Sequence, residues 1–254
     1  MCIKSSFAKI SSMLIILSLL GGCAATQVAL SKKDLDVQSR TSSAIFVDPV
    51  SPEKRTIYLD VKSGVMEFDR REFKSFLKEQ FMVMNDSGYK IIDDPEKAQF
   101  QMTVYILNLE KTSPTAAEAA LNSGFSSGGA IMAGAAIGAM ANDSHPYNGA
   151  AAGGIIAGAA DLIAGSLVKD VTYMLVADVQ IKEKARKGVL VRKDSKVDTK
   201  VSDSGSSRQT SSEVSNQKEY RTRVVTTANQ VNLKLEEAQP LMFKKTAYQL
   251  AGFF

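Results

Sequence analysis

The stretch 128–168, GGAIMAGAAIGAMANDSHPYNGAAAGGIIAGAADLIAGSLV, limits what this chain can fold into more than any other. It holds about half of the chain's 17 glycines and almost no charge. Two apolar runs, 128–141 and 149–168, flank a polar tip at 142–148. Gly and Ala bury little apolar area per residue and fill a water-soluble core poorly. In lipid, by contrast, small residues at i and i+4 let helix backbones approach closely. Gly134 and Gly138 are so spaced in the first run. In the second run the same spacing relates Gly149 to Gly153, and Gly154 to Gly158. A glycine also costs a helix about 1 kcal/mol relative to alanine, so packing or lipid must hold such a helix together. The second run reaches the roughly 20 apolar residues that a bilayer core requires and the first falls short. Asp161 lies inside the second run, where a carboxylate is expected to face a bundle interior or a water-filled cavity. The expectation is a membrane-inserted helical hairpin; a glycine-rich linker and a buried soluble hairpin are the alternatives.

The N-terminus reads as a bacterial export signal. Lys4 and Lys9 form the basic segment, residues 10–20 the apolar segment, and small residues follow. They end in Leu20-Gly21-Gly22-Cys23, which resembles the lipobox of bacterial lipoproteins. That resemblance implies diacylglycerol transfer to Cys23, cleavage before it and acylation of the new amino terminus. Ala24 stands where lipoproteins retained in the inner membrane carry Asp, so outer-membrane sorting is expected. Cys2 leaves with the signal and Cys23 is modified, which leaves the mature body without a thiol. The formal charge of +4 drops by two when residues 1–22 are removed, too little and too dispersed for nucleic acid.

Along the mature chain, residues 23–43 are small and polar, a tether between lipid and fold. Residues 44–50 (AIFVDPV) and 55–62 (RTIYLDVK) read as strands, the second from its alternation. Phe73, Phe76, Leu77, Phe81 and Met84 place a core-facing stripe on a helix over 67–86. Residues 89–92 lead into an Asp93-Asp94-Pro95 turn, and 100–109 (FQMTVYILNL) form an apolar strand. Residues 111–127 are a polar approach to the hairpin. The segment 171–181 (VTYMLVADVQI) reads as a central strand. The Ser/Thr-rich stretch 194–217 is a loop or the solvent-facing end of a long hairpin. Strand character returns over 218–235, with Ala228-Asn229 as a turn, and 236–250 reads as a final helix. The fold class is therefore α+β: a small mixed sheet with packed helices, plus the Gly/Ala-rich membrane-inserted helical hairpin. One domain is built from 44–127 and 169–254, with 128–168 inserted in it.

No catalytic constellation survives inspection. His145 is the only imidazole, and it stands in a turn beside Asp143 and Ser144. One histidine and no body thiol argue against a transition-metal site. Asp93/Asp94 and Glu236/Glu237 stand at a turn and a helix start, where acids are expected structurally. No phosphate-loop pattern occurs. No cofactor is expected beyond the covalent lipid on Cys23.

Taken together, LGGC at 20–23, KKDLDVQSRTSSAIFVDPV at 32–50, the Gly/Ala stretch, VKDVTYMLVADVQI at 168–181 and NQKEYRTRVVTTANQVNLKLEEAQP at 216–240 carry a resemblance to the TraT lipoproteins. These are surface-exclusion and complement-resistance proteins of conjugative plasmids. The resemblance implies a non-enzymatic, surface-exposed outer-membrane lipoprotein forming a ring-like homo-oligomer in contact with outer-membrane lipids. It also implies reduced mating with cells that carry a related plasmid. A surface structure of the mating cell is then the expected partner, met by the tip residues Asn142, Asp143, His145 and Tyr147. An oligomeric pore or export channel lined by the hairpins is the competing expectation.

Overall fold

Two fifteen-residue strands, β5 (Asp170–Lys184) and β8 (Gln217–Val231), pair antiparallel along their whole length and form the centre of the molecule. The computed structural model describes residues 32–83, 88–125, 170–186, 188–200 and 206–254. Around that pair lie β1 (Asp36–Thr41), β2 (Thr56–Ser63), β3 (Lys90–Ile91) and β4 (Phe100–Thr112), in the order β1-β8-β5-β4-β2-β3. The contacts β1/β8, β8/β5 and β5/β4 are antiparallel, and β4/β2 and β2/β3 are parallel. Parallel neighbours need a crossover connection, and helix α1 (Arg70–Val83) lies between β2 and β4 in the chain. A second, two-stranded sheet, β6 (Val191–Lys200) with β7 (Ser206–Ser215), is inserted between β5 and β8. The Ala185 N–H donates to Asn216 O at 2.7 Å, so the ribbon leaves from the end of the central pair.

Alternation in β4 and β5 gives the sheet two apolar faces. One packs on α1 and on the C-terminal helix α3 (Leu235–Ala251) through Ile57, Leu59, Met102, Val104, Val179 and Ile181. Phe73 and Leu77 of α1 meet Met242 and Phe243 of α3 there, all without solvent exposure. Phe68, Phe73 and Phe243 pack ring on ring with centroids 4.8–5.3 Å apart. The chain's last residue, Phe254, sits against Phe81, Tyr89 and Phe100 at 5.4–5.7 Å. Such edge-on pairs add about 0.5–1.5 kcal/mol each to the area they bury. The other face carries Leu107, Met174, Val176 and Val225 beneath helix α2 (Pro114–Asn122). That helix starts with the Ser113 side chain accepting from the Ala116 N–H and with Pro114 in its first turn. Beyond its end Gly124 takes φ +65°, a conformation open to glycine.

Several expectations need correction. The fold is not a small mixed sheet with packed helices plus a membrane-inserted helical hairpin: the described residues are mostly strand, in a sheet curled as a half-barrel. Among them no helix is long and apolar enough to cross a membrane. The stretch 128–168, where the hairpin is expected, lies outside the described residues. Gly134, Gly138, Gly149, Gly153, Gly154 and Gly158, expected to make its packing contacts, lie outside them with it. The reason for the shift towards β is length: β4, β5 and β8 run well past their apolar segments into polar residues, because the β4/β5 and β5/β8 ladders continue there. Residues 44–50 form no strand; they cross the sheet end with Ile45 buried. Residues 111–127, read as polar approach, contain α2. Ala228 and Asn229 make no turn, since both pair with β5 and with β1. The tether stretch contributes β1, whose polar residues hide its strand character.

Removing the Phe243 ring should cost about 3–5 kcal/mol, the range for Phe→Ala in a core. Tyr248→Ala on the exposed face of the same helix should stay within about 0.5 kcal/mol. Thermal unfolding of the detergent-extracted protein measures both, and similar losses would mean α3 is not packed as described.

Candidate functional site

The most unusual chemistry sits at the middle of the central pair. Asp178 of β5 and Arg223 of β8 are directly opposite one another, on the face that α2 covers. Arg223 Nε donates to Asp178 Oδ1 at 2.7 Å and Nη2 donates to Oδ2 at 3.0 Å, the two-pronged geometry that suits a guanidinium. Both side chains are withdrawn from water, with 1% and 4% of their surface exposed. The remaining arm, Nη1, donates to Ser123 Oγ at 2.5 Å and to Ala120 O at 3.4 Å. Arg223 therefore neutralises Asp178 and also reaches a last-turn carbonyl of α2, where positive charge is favoured. Two residues along, the Arg221 guanidinium lies 5.2 Å from the Phe125 ring centroid. Together these arginines fix the place where α2 ends.

Polar networks also close the two ends of the sheet. At the end where the described chain begins, Lys32 pairs with Asp170, and Asn229 donates to Asp170, Val171 O and Thr172. At the ribbon end, Tyr220 Oη donates to the buried carboxylate of Glu183 at 2.8 Å, and Lys218 pairs with Asp48. These contacts tie the crossing segment 44–50 to β8. The hydrogen bond from Lys218 holds the Asp48 carboxyl below the usual carboxylate range and raises the Lys218 ammonium. Burial, then the bond to Glu183, pushes the Tyr220 phenol upwards.

Between α2 and β1 runs a groove of about 380 Å³, with Asp36, Gln38 and Arg40 on one wall and Ala117, Glu118 and Leu121 on the other. Arg40 bridges the walls to Glu118 at 2.6 Å. The groove's lining charges balance, Lys32 and Arg40 against Asp36 and Glu118, so it presents no excess of either sign. Among the described residues no group of three His, Cys, Asp or Glu side chains gathers as for a metal ion.

The residues that the sequence singles out all lie outside the described residues. They are the lipidation residue Cys23; Gly134, Gly138, Gly149, Gly153, Gly154, Gly158 and Asp161 of the Gly/Ala stretch; and the tip residues Asn142, Asp143, His145 and Tyr147. The structure instead brings together a pair that sequence patterns do not single out. Its signal is present: Asp178 and Arg223 each interrupt an apolar strand on one face, with opposite charges.

Comparison with known proteins finds relatives over most of the chain. The family model described as "Enterobacterial TraT complement resistance protein" matches residues 34–254. A TraT complement resistance protein of Escherichia coli is 33% identical over 233 residues, covering 92% of each chain. A second from the same species is 33% identical over 249 residues, covering 96% of this chain and 97% of the relative. Among solved structures, the PelC dodecamer from Paraburkholderia phytofirmans aligns over 84% of this chain and 96% of that one, at 5% identity and a TM-score of 0.31.

Breaking the buried pair from one side leaves a charge with no partner. Arg223→Met should therefore destabilise the protein by about 3–5 kcal/mol, while Arg223→Met with Asp178→Leu should recover most of the loss. A double variant as unstable as the single one would show that the pair's other hydrogen bonds matter more than its charge. The segment 44–50 should also respond to acid. Asp48 has a lowered pKa, so its contribution is present above its ordinary value and is lost as pH falls through the lowered one. Hydrogen exchange at Ile45 and Val47 should accelerate over that range, and Asp48→Asn should remove this step.

Proposed function

Because the chain belongs to the TraT family of complement resistance proteins, we propose that it works as a non-enzymatic, lipid-anchored protein of the Gram-negative outer membrane. It confers complement resistance and surface exclusion, lowering productive mating with cells that carry a related plasmid. The observation that carries this reading is the extent of the match, residues 34–254, which takes in every strand and helix described above. In this proposal Cys23 bears the lipid, the chains assemble as a homo-oligomer, and the contact on the other side is a surface structure of the mating cell.

The polarity of the sheet supports a standing arrangement. The described chain enters at Lys32, beside Asp170 and Val231, at one end of β5 and β8. The β6–β7 ribbon leaves from the other end, after Lys184 and before Gln217. A fifteen-residue antiparallel strand rises about 50 Å at about 3.4 Å per residue. An acyl group at Cys23 would then hold one end of the sheet near the bilayer while the polar ribbon reaches away from it. One acyl chain binds membranes only marginally, whereas two or more anchor stably.

Cys23→Ser tests the proposal. The variant should lose labelled palmitate, leave the outer-membrane fraction, and protect cells from serum no better than an empty plasmid. Acyl labelling that persists in the variant would refute the anchor. Serum survival and mating frequency that do not respond to expression of the unaltered protein would refute the function.

A further inference from the structure

Among the described residues, the six-stranded sheet ends in two open edges. On one side β1 pairs, among the described residues, only with β8. On the other, β3 pairs with β2 at Thr56 and Ile57 alone, which leaves residues 58–63 without a neighbour on that side among the described residues. Exposed edges of this kind are templates for another strand. We infer that the β1 edge of one copy pairs antiparallel with the β2 edge of the next. The inference rests on the homo-oligomer reading above and names its interface.

Backbone geometry makes the two edges compatible. The Ser42 N–H donates to Arg223 O, so even-numbered positions of β1 turn their amides towards β8, and Val37, Ser39 and Thr41 turn theirs outward. Ile57 O accepts from the Ile92 N–H on the β3 side, so the backbone groups of Leu59, Val61 and Ser63 also point outward. The chain direction of β1 is opposite to that of β2 across the sheet order, so the outer edges of two copies meet antiparallel in one continuous sheet. Pairing Thr41 with Leu59, Ser39 with Val61 and Val37 with Ser63 uses all six outward positions and clears β3. A register two residues further along would set Thr41 against Ile57, which β3 already occupies.

Side chains agree with this register. Asp36, Gln38 and Arg40 lie on the α2 side of the sheet. Tyr58, Asp60 and Lys62 share that side, because Ile57 and Leu59 point into the α1/α3 core. Arg40 then stands opposite Asp60, and Gln38 opposite Lys62 with Asp36 diagonal to it. The partners these charges now have, Glu118 for Arg40 and Lys62 for Asp60 at 3.3 Å, are half-exposed surface pairs worth little. Exchanging them for cross-copy partners is cheap. On the other side, Val37 and Val61, both packed against the main core, extend that apolar face across the junction. The contact is head-to-tail, and such contacts close into rings when the rotation between copies permits.

Disulfide trapping tests the interface, since the chain contains only Cys2 and Cys23. Gln38 and Lys62 would form a non-hydrogen-bonded pair with Cα atoms about 4.5 Å apart, within disulfide reach. Both positions are exposed. The full-length chain carrying Gln38→Cys and Lys62→Cys, oxidised in outer membranes, should give a ladder of covalent multimers on a denaturing gel. Neither single variant nor the parent should do so. Arg40→Glu added to the double variant should reduce the ladder, and Asp60→Arg added to that should restore it. If the cysteine pair stays monomeric on the gel while light scattering of the extracted protein reports an oligomer, the interface is wrong and the oligomer stands. A monomer by light scattering overturns both. A dimer from either single variant means like edges meet, which also overturns the inference.

Discussion

Everything in this fold hangs on the register between β5 and β8. Each supplies fifteen residues to one uninterrupted ladder, and the four other strands of the main sheet attach to its outer sides. Because side chains alternate with a period of two, a slip of one residue would turn the whole apolar set of a strand to the wrong face. Here both faces are buried, so hydrophobicity alone penalises such a slip less than it would in a sheet with one wet side. The Arg223–Asp178 pair supplies the missing discrimination. In the native register the two are directly opposite and satisfied; in a shifted one each would be a charge in an apolar layer. That is the circumstance in which a buried ion pair contributes specificity more than stability.

The same pair carries the register outwards to other elements. Through Nη1, Arg223 holds Ser123 and Ala120 and so the end of α2. Its backbone N–H donates to the Ser42 hydroxyl, and Ser43 and Thr222 bond beside it. The segment leaving β1 is therefore aligned by the residues that align β5 with β8. Thr226 and Thr246 share a buried hydroxyl contact at 2.7 Å, which ties β8 to α3 on the opposite face. One strand thus positions α2, α3 and the entry of the chain into the core.

Sequence patterns make some of this readable and conceal the rest for physical reasons. Segments with a clear period and an apolar face are legible: the helix over Phe73–Phe81, the strands at 55–62 and 100–109, the central strand at 171–181 and the C-terminal helix. The family resemblance is legible from blocks in β1, β5 and β8. Helix α2 escapes because it is short and built on alanines, which mark no amphipathic stripe. β1 escapes because an edge strand facing a polar groove has no apolar alternation to display. The turn expected at Ala228-Asn229 fails because pairing on both sides outweighs local turn preference. The candidate site is the least legible part. The features that stand out in the sequence, a run of glycines and a lone histidine, fall outside the described residues. An Asp and an Arg 45 positions apart in sequence show their meaning only once the strands are in register.

The edges that the described residues leave open follow from the placement of the helices. Six strands curled as a half-barrel could in principle close, with β1 meeting β2 of the same chain. A closed barrel of so few strands has an interior that side chains alone fill. Here one face carries two helices, with Phe73, Leu77, Met242 and Phe243 fully buried between them and the strands. Closing on that side would require expelling those side chains, each worth about 1.5–3 kcal/mol in burial. On the other side α2 and the Arg223–Asp178 pair would have to be displaced, leaving buried charge without its partners. Neither closure is compatible with the packed core. Among the described residues no strand covers the outer sides of β1 and of residues 58–63 of β2, and the helices that stabilise the monomer are what keep those edges apart.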